Sequence, residues 1–138
     1  MKLSTKARYA TRFMLDLAIH SKDGFVPLKD IAKRQGLSWK YLWNLIGPLK
    51  SAGLINSSRG SKGGYILSKP INQINLKDIV NAVEGPLCLV DCVDNPSLCK
   101  RSKSCVSRDI WAETSGKIQK YLESINLEDM VKRYSEKI

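Results

Sequence analysis

The sequence predicts a mainly α-helical fold with a small β wing, in which a winged helix-turn-helix precedes a long C-terminal dimerisation helix. Three observations favour this class. Apolar residues recur at helical spacing as far as Gly53, and the period then shortens to that of strands. A cysteine-rich stretch follows later in the chain. Beyond it, apolar residues alternate at steps of three and four, as on a long helix that packs along one face.

The chain begins with three predicted helices. Each combines an apolar stripe with a start or stop signal, such as a serine cap, a first-turn proline or a closing glycine. Two short helices joined by a tight glycine-containing turn predict a helix-turn-helix. Within the third helix, Gly47-Pro48 predicts a kink or an early end, because proline removes a backbone hydrogen bond. The predicted starts are Ser4 or Thr5, Pro27 and Ser38, and the predicted ends are His20, Gly36 and Gly53.

A basic hairpin follows these helices directly. Residues 54–57 and 65–67 have strand character, and the glycine-rich residues 58–64 connect them. Glycines allow a backbone to approach a phosphate closely, and Arg59 has the length to reach into a groove. The hairpin therefore predicts a DNA-binding wing, and the alternative is a plain hairpin with a solvated charge at its tip.

Two helices and a short terminal one are predicted in the second half. Asn75 caps the first, and Gly85-Pro86 end it. Residues 87–104 have no period and are predicted to be a loop. A longer helix then begins at Ser104 or Cys105 and reaches about Asn126, where residues 126–129 have the pattern of a capping box for the last helix.

The longer helix has an apolar seam that predicts a homodimer. A helix of this length after a compact domain has little of its own chain left to cover it, which favours contact with a second copy over packing on its own domain. The chain then divides into a winged helix-turn-helix domain (1–85), a cysteine-rich cluster-binding loop (86–106), and the dimerisation and C-terminal helices (107–138). The seam consists of Trp111, Thr114, Ile118, Tyr121 and Ile125.

Positive charge is concentrated in the first half. The 138 residues have a formal net charge of +10, and residues 1–70 hold thirteen Lys and Arg against three Asp. This half is therefore predicted to bind a polyanion, with nucleic acid preferred to a membrane surface. No apolar run approaches the ~20 residues of a membrane span, and the first residues lack the apolar core of a signal peptide, so we expect a cytoplasmic protein with no membrane partner. One histidine and no recognisable catalytic motif argue against an enzyme.

All four cysteines lie between residues 88 and 105, at Cys88, Cys92, Cys99 and Cys105. A cytoplasmic chain seldom keeps disulfides, so metal or redox chemistry is expected. The tight pairs typical of zinc are absent, and wider spacing suits a loop that wraps an iron–sulfur cluster. The alternative, four incidental thiols, is disfavoured because cysteine is uncommon and these are tightly grouped.

Four segments together resemble the IscR/NsrR-type family of bacterial transcription regulators (the Rrf-two family). They are MKLSTKARYA, PLKDIAKRQGLSWKYL, INSSRGSKGGYIL and CVDNPSLCKRSKSCVSRDIW. The resemblance covers nearly the whole chain. It implies a winged-helix homodimer that binds operator DNA, and an iron–sulfur cluster that adjusts DNA affinity.

The resemblance also implies a set of cluster ligands. The family's cysteine triad matches Cys92, Cys99 and Cys105. Positions that supply a fourth ligand in some members are Arg108 and Arg8 here, and arginine does not ligate. Cys88 is then the nearest candidate, with water, a small thiol or a partner-subunit group as alternatives. A buried apolar filler beside Leu87 and Leu89 is an equal interpretation of Cys88. A [2Fe-2S] cluster is expected, with [4Fe-4S] as the alternative.

The resemblance also implies a set of DNA-contacting positions. Ser38 and Tyr41 match phosphate- or base-contacting positions of the family, and Trp43 replaces a polar residue of the type member. The candidates are Ser38, Trp39, Lys40, Tyr41, Trp43 and Asn44 on the third helix, and Arg59, Gly60 and Lys62 on the wing. The expected function is a DNA-binding regulator, a repressor in the first instance, that is controlled by its cluster. The alternative is a cluster-free member that senses through thiol oxidation or a protein partner.

Overall fold

The computed structural model describes residues 2–138 and has the predicted class: it is mainly helical with one two-stranded antiparallel sheet. The cysteine-bearing stretch, predicted as a loop, contains the short helix α5 and a 3-10 turn at Pro96–Leu98. Elements this short show no period in a sequence. The elements are α1 (Thr5–His20), α2 (Leu28–Gln35), α3 (Trp39–Ser51), β1 (Ile55–Ser58), β2 (Gly64–Leu67), α4 (Leu76–Glu84), α5 (Asp91–Asp94), α6 (Val106–Ser124) and α7 (Leu127–Lys137).

The turn between α2 and α3 is fixed by backbone hydrogen bonds. Gly36 ends α2 in the left-handed region at φ 64°, where glycine meets no steric penalty. The amide of Leu37 then donates to the carbonyl of Ala32 at 3.0 Å. Ser38 takes the predicted N-cap position of α3, but its hydroxyl makes no capping bond.

Helix α3 does not end early at Gly47-Pro48, so the expectation of an early end is wrong. The helix continues to Ser51, and the amide of Ala52 donates to the carbonyl of Pro48. Proline near the end of a helix removes one bond only, and the burial of Leu45, Ile46 and Leu49 keeps the last turns on the core.

The hairpin is attached to the helices through β2. Ile55 pairs with Leu67 and Ser58 with Gly64, while Tyr65 forms an isolated bridge with Val26 on its other edge. Gly64 has φ 150°, and a Cβ atom there would overlap the carbonyl oxygen of Val26. This close approach requires glycine, and it holds the hairpin against the start of α2.

A single apolar core joins the two ends of the chain. Phe13, Met14 and Leu17 of α1 are fully buried, as is Leu127 at the start of α7. Helix α1 contacts both α4 and α7. The last helix therefore completes the core that supports the helix-turn-helix.

Helix α4 packs on this core through Ile79, and the chain beyond it returns to the start of α4 at the end of α6. Asn75 and Asn126 form an antiparallel bridge, and each caps the helix that follows it through a capping box with Asp78 or Asp129. The amide of Leu76 donates to the carbonyl of Ile125 at 2.8 Å. The cysteine-bearing stretch thus lies in a loop that is closed at its base.

Candidate nucleic-acid interface and cysteine segment

The N-terminal half of α3 presents a solvent-facing surface of aromatic and polar groups. Trp39 and Trp43 are 57% and 59% exposed, although tryptophan ordinarily buries most of its surface. Lys40 and Asn44 lie beside them and are also exposed. Tyr41 is half-buried, and its ring meets that of Tyr9 edge-on at 5.1 Å. The arrangement leaves one end of α3 available to a partner.

A groove separates α3 from the hairpin. Lys50 donates a hydrogen bond to the Ser57 hydroxyl at 2.9 Å, which joins the end of α3 to β1. Gly60 and Lys62 are exposed in the hairpin tip. The groove is lined by Trp43, Asn44, Ile46, Gly47, Lys50, Ser57, Ser58, Arg59 and Tyr65.

Sequence reasoning missed six of the groove residues, which are Ile46, Gly47, Lys50, Ser57, Ser58 and Tyr65. Positions 43, 47 and 50 repeat at steps of four and three, so they share one face of α3. That spacing is the signal that would have identified Lys50 from the sequence.

Two cations of α1 lie beside the ring of Tyr9. The guanidinium carbons of Arg8 and Arg12 are 5.9 and 5.7 Å from the centre of that ring. Tyr9 in turn packs on Tyr41 in the first turn of α3, and Arg12 also donates to Gln35 at the end of α2. Neither arginine was among the sequence-predicted DNA-binding residues.

A buried carboxylate holds α2 against α1. Asp16 is 1% exposed and accepts two hydrogen bonds from Arg34, at 2.7 and 3.0 Å. Gln35 donates a third at 3.0 Å. The hydrogen bond from Arg34 to Asp16 raises the pKa of the guanidinium above its ordinary value. The network fixes the first helix of the helix-turn-helix, and through it the orientation of α3.

The four cysteines are free and lie in different local settings. Cys99 is exposed, whereas Cys88, Cys92 and Cys105 are half-buried. Cys105 caps α6, and its sulfur accepts from the amide of Arg108 at 3.4 Å. Cys88 donates its thiol hydrogen to the carbonyl of Val90 at 3.0 Å.

The donor chemistry of these thiols suits a cluster, but their placement does not yet form a site. Within residues 2–138, no three side chains of the ligating types come together around one position. The residues therefore fit an iron–sulfur cluster by type, and the conformation shown is not a preformed metal centre.

The chain matches the family model described as "Rrf2: Iron-dependent Transcriptional regulator" over residues 3–133. It is 40% identical to protein rrf2 of Nitratidesulfovibrio vulgaris, over 96% of this chain and 88% of that protein. It is 39% identical to the HTH-type transcriptional regulator IscR of Xenorhabdus nematophila, over 96% of this chain and 80% of that protein.

Two solved structures share the fold along nearly the whole chain. IscR of T. potens is 40% identical with a TM-score of 0.81, and the match covers 99% of this chain and 90% of that one. CymR of B. subtilis, described as its global cysteine regulator, is 34% identical with a TM-score of 0.80. The match covers 96% of this chain and 98% of that one. In the described part of the chain, every helix is too short or too polar to cross a bilayer. With its helix-turn-helix, its hairpin and these relatives, the chain belongs to the Rrf2 family of DNA-binding transcriptional regulators.

Proposed function

We propose that this regulator reads operator DNA with the exposed face of α3 and with the hairpin. The observation that carries the proposal is the groove in which Trp43 and Asn44 of α3 face Arg59 of the hairpin. A helix of this kind enters the major groove by its N-terminal end, and a wing arginine inserts into a neighbouring minor groove.

Phosphate contacts supply the non-specific part of this binding. Ser38 leaves the first amides of α3 without a side-chain cap, and such amides attract anions. Lys40 and Lys62 add charge on either side of the groove, with Gly60 allowing close backbone approach. Trp39 and Trp43 offer apolar contact to thymine methyl groups, and Tyr41 positions the helix through Tyr9.

The test uses a pool of randomised duplexes about 30 base pairs long, which spans two half-sites. We expect selection of a two-fold symmetric sequence and a steep fall of affinity with salt. Selection that leaves the pool unenriched would contradict sequence-specific binding.

We propose further that an iron–sulfur cluster held by Cys92, Cys99 and Cys105 controls operator affinity, with Cys88 as the candidate fourth ligand. When bound, such a cluster supplies a one-electron redox centre, [2Fe-2S] in our proposal and [4Fe-4S] as the alternative. Its assembly requires the three thiols to converge, since they stand apart here. Arg108 already donates to the sulfur of Cys105 and to the carbonyl of Cys92, so it links both ligands to the first turn of α6.

A cluster-free mechanism is the second candidate, and the dispersed thiols favour it. Sensing then proceeds by thiol oxidation or by a protein partner. The similarity to CymR supports this candidate, because CymR of Staphylococcus aureus, 34% identical over 95% of this chain, has been solved in an oxidized form.

Colour separates the two candidates. The protein is purified without oxygen, and its visible spectrum is recorded with iron and sulfide counts. We expect a brown protein that Cys→Ala at position 92, 99 or 105 bleaches, because losing one of three thiolates leaves too few ligands. Cys88→Ala is expected to alter the spectrum and keep iron. A colourless, iron-free wild type would support the cluster-free mechanism instead.

We also propose a homodimer formed by the seam of α6. Trp111 and Tyr121 are 43% and 58% exposed, whereas Thr114, Ile118 and Ile125 are half-buried on their own chain. The exposed part continues into an apolar groove lined by Leu15, Leu76, Tyr121, Ile125, Met130, Arg133, Tyr134 and Lys137. In a two-fold symmetric dimer, a second copy of the chain would cover this surface with its own seam.

A further inference from the structure

A stripe of polar side chains on α6 runs alongside the backbone of residues 87–93. Gln119 donates from its amide nitrogen to the carbonyl of Leu87 at 2.6 Å. The hydroxyl of Ser115 accepts from the amide of Leu89 at 3.1 Å. Arg108 donates to the carbonyls of Cys92 and Val93 at 2.9 and 3.2 Å. The contacts run in opposite order along the two segments, so residues 87–93 lie antiparallel to α6.

The three side chains form one face of the helix. Positions 108, 115 and 119 are separated by seven and four residues, which returns them to nearly the same angle at 3.6 residues per turn. Ser115 is 3% exposed, so its hydroxyl is enclosed where it meets the segment. Burying the amide of Leu89 at that point without the Ser115 hydroxyl as its acceptor would be energetically costly.

This polar stripe lies about a quarter of a turn from the apolar seam, because the five seam positions lie on average about 100° away around the helix. One helix thus faces the cysteine-bearing segment on one side and carries its exposed seam on another. A change in the segment that shifts α6 is transmitted to whatever covers the seam.

We propose that Arg108, Ser115 and Gln119 are positioning residues that strap residues 87–93 to α6 and thereby hold Cys88 and Cys92 in register with Cys105. The proposal rests on the regulatory role proposed for the cysteine segment. It assigns the strap to side chain-to-backbone bonds, so the strap exists before any cluster or oxidation and is measurable in the reduced, metal-free protein.

The test measures the alkylation rate of each cysteine in the reduced, metal-free protein, by N-ethylmaleimide labelling and mass spectrometry. Gln119→Met keeps the length of the side chain and removes its donor, and Ser115→Ala removes the buried acceptor. We expect each change to accelerate labelling of Cys88 and Cys92 by about fivefold, which corresponds to one lost hydrogen bond in the local opening equilibrium. Cys99, exposed and outside the strap, is the internal standard and keeps its rate.

Lys120→Met is the matched control, since Lys120 neighbours Gln119 on α6 and is exposed. Arg108→Met is expected to act most on Cys92, and Arg108→Lys to restore part of the protection. Unchanged rates at Cys88 and Cys92 in the Ser115 and Gln119 variants would overturn the proposal. Equal acceleration at Cys99 would overturn it too, because general destabilisation would then explain the effect. The labelling experiment does not measure operator binding. A negative result would therefore overturn the strap without bearing on the proposed regulation.

Discussion

The buried carboxylate of Asp16 and the guanidinium of Arg34 form a two-point ion pair between α1 and α2, with contacts of 2.7 and 3.0 Å. Asp16 is enclosed, whereas the Arg34 side chain is 35% exposed. Such a planar pair fixes orientation as well as distance. Since α2 leads through the Gly36 turn into α3, the pair sets the angle at which α3 is presented.

Asp16→Asn is therefore expected to weaken both folding and operator binding. Asparagine keeps the shape and loses the charge that Arg34 and Gln35 share, at a cost of about 1–3 kcal/mol in the free energy of unfolding. Urea denaturation measures this cost, and Asp23→Asn, at an exposed site, is the control. An unchanged denaturation midpoint would show that the pair contributes no stability.

Arg59→Ala is expected to lower operator affinity by about 1–3 kcal/mol if the side chain enters a groove. The folded state is unaffected, because Arg59 is exposed. Fluorescence anisotropy on the selected duplex measures the loss. Arg101→Ala removes an exposed arginine in the cysteine-bearing stretch and serves as control. Equal affinity of the Arg59 variant and the wild type would remove the hairpin from the interface.

If the proposed dimer forms through the seam of α6, Trp111→Lys is expected to convert it to monomers. The side chain is 43% exposed in a single chain, so a lysine is tolerated by the fold, but it introduces an unpaired charge into the seam. Light scattering gives the molar mass, and circular dichroism confirms helicity. Trp39→Lys, at a more exposed position on α3, should stay dimeric. A dimeric Trp111 variant would place the interface elsewhere.

Two glycines are expected to respond in opposite directions to alanine. At Gly64 an added Cβ overlaps the carbonyl of Val26, which breaks the bridge that attaches the hairpin, so Gly64→Ala destabilises the fold. At Gly47, inside α3, an added Cβ meets open space, and Gly47→Ala stabilises by roughly 0.5–1 kcal/mol. Thermal denaturation of both variants checks the signs, and a stabilised Gly64 variant would contradict the close approach.

Tyr65 is expected to make stability fall at alkaline pH. Burial raises the pKa of Tyr65 above its ordinary value of 10.0. Its contribution is therefore complete below about pH 10 and is lost as the pH rises toward the folded-state pKa, because the unfolded chain ionises first. Urea denaturation at neutral pH and at about pH 10.5 should show a smaller alkaline loss for Tyr65→Phe than for wild type. Tyr121→Phe, at an exposed ring, is the control, and equal losses for Tyr65→Phe and wild type would exclude the effect.

Local signals predicted most of the helices and strands. Asn75, Asn126 and Gly36 each act within one turn of a helix, so their roles are visible in the sequence. The predicted end of α3 at Gly53 lies close to the observed end at Ser51, whereas an early end at Pro48 is wrong, because the burial of Leu49 is a tertiary effect. The family class and the fold class are confirmed, while the cluster, the operator contacts and the dimer remain predictions.

Contacts between elements that are distant in the chain could not be predicted, because they produce no local sequence pattern. In the sequence, Asp16 is one of three acidic residues in a basic half-chain, and nothing near it indicates that it is buried. Its burial depends on the ion pair with Arg34, eighteen residues later. The bonds from Ser115 and Gln119 reach backbone atoms, which have no residue type. The sequence places Leu127 at the start of a short terminal helix but does not indicate that its side chain packs into the core around α1.

The position of Leu127 also bears on the order of events during synthesis. The core of α1 is complete only when α7 packs on it, and the ribosome makes α7 after the cysteine-bearing stretch and α6. A nascent chain therefore cannot complete the core beneath its helix-turn-helix before the cysteine-bearing stretch and α6 have been made. A truncated chain that retains α3 and the hairpin but stops before Leu127 would carry an open core, and cellular quality control would treat it as an incompletely folded protein.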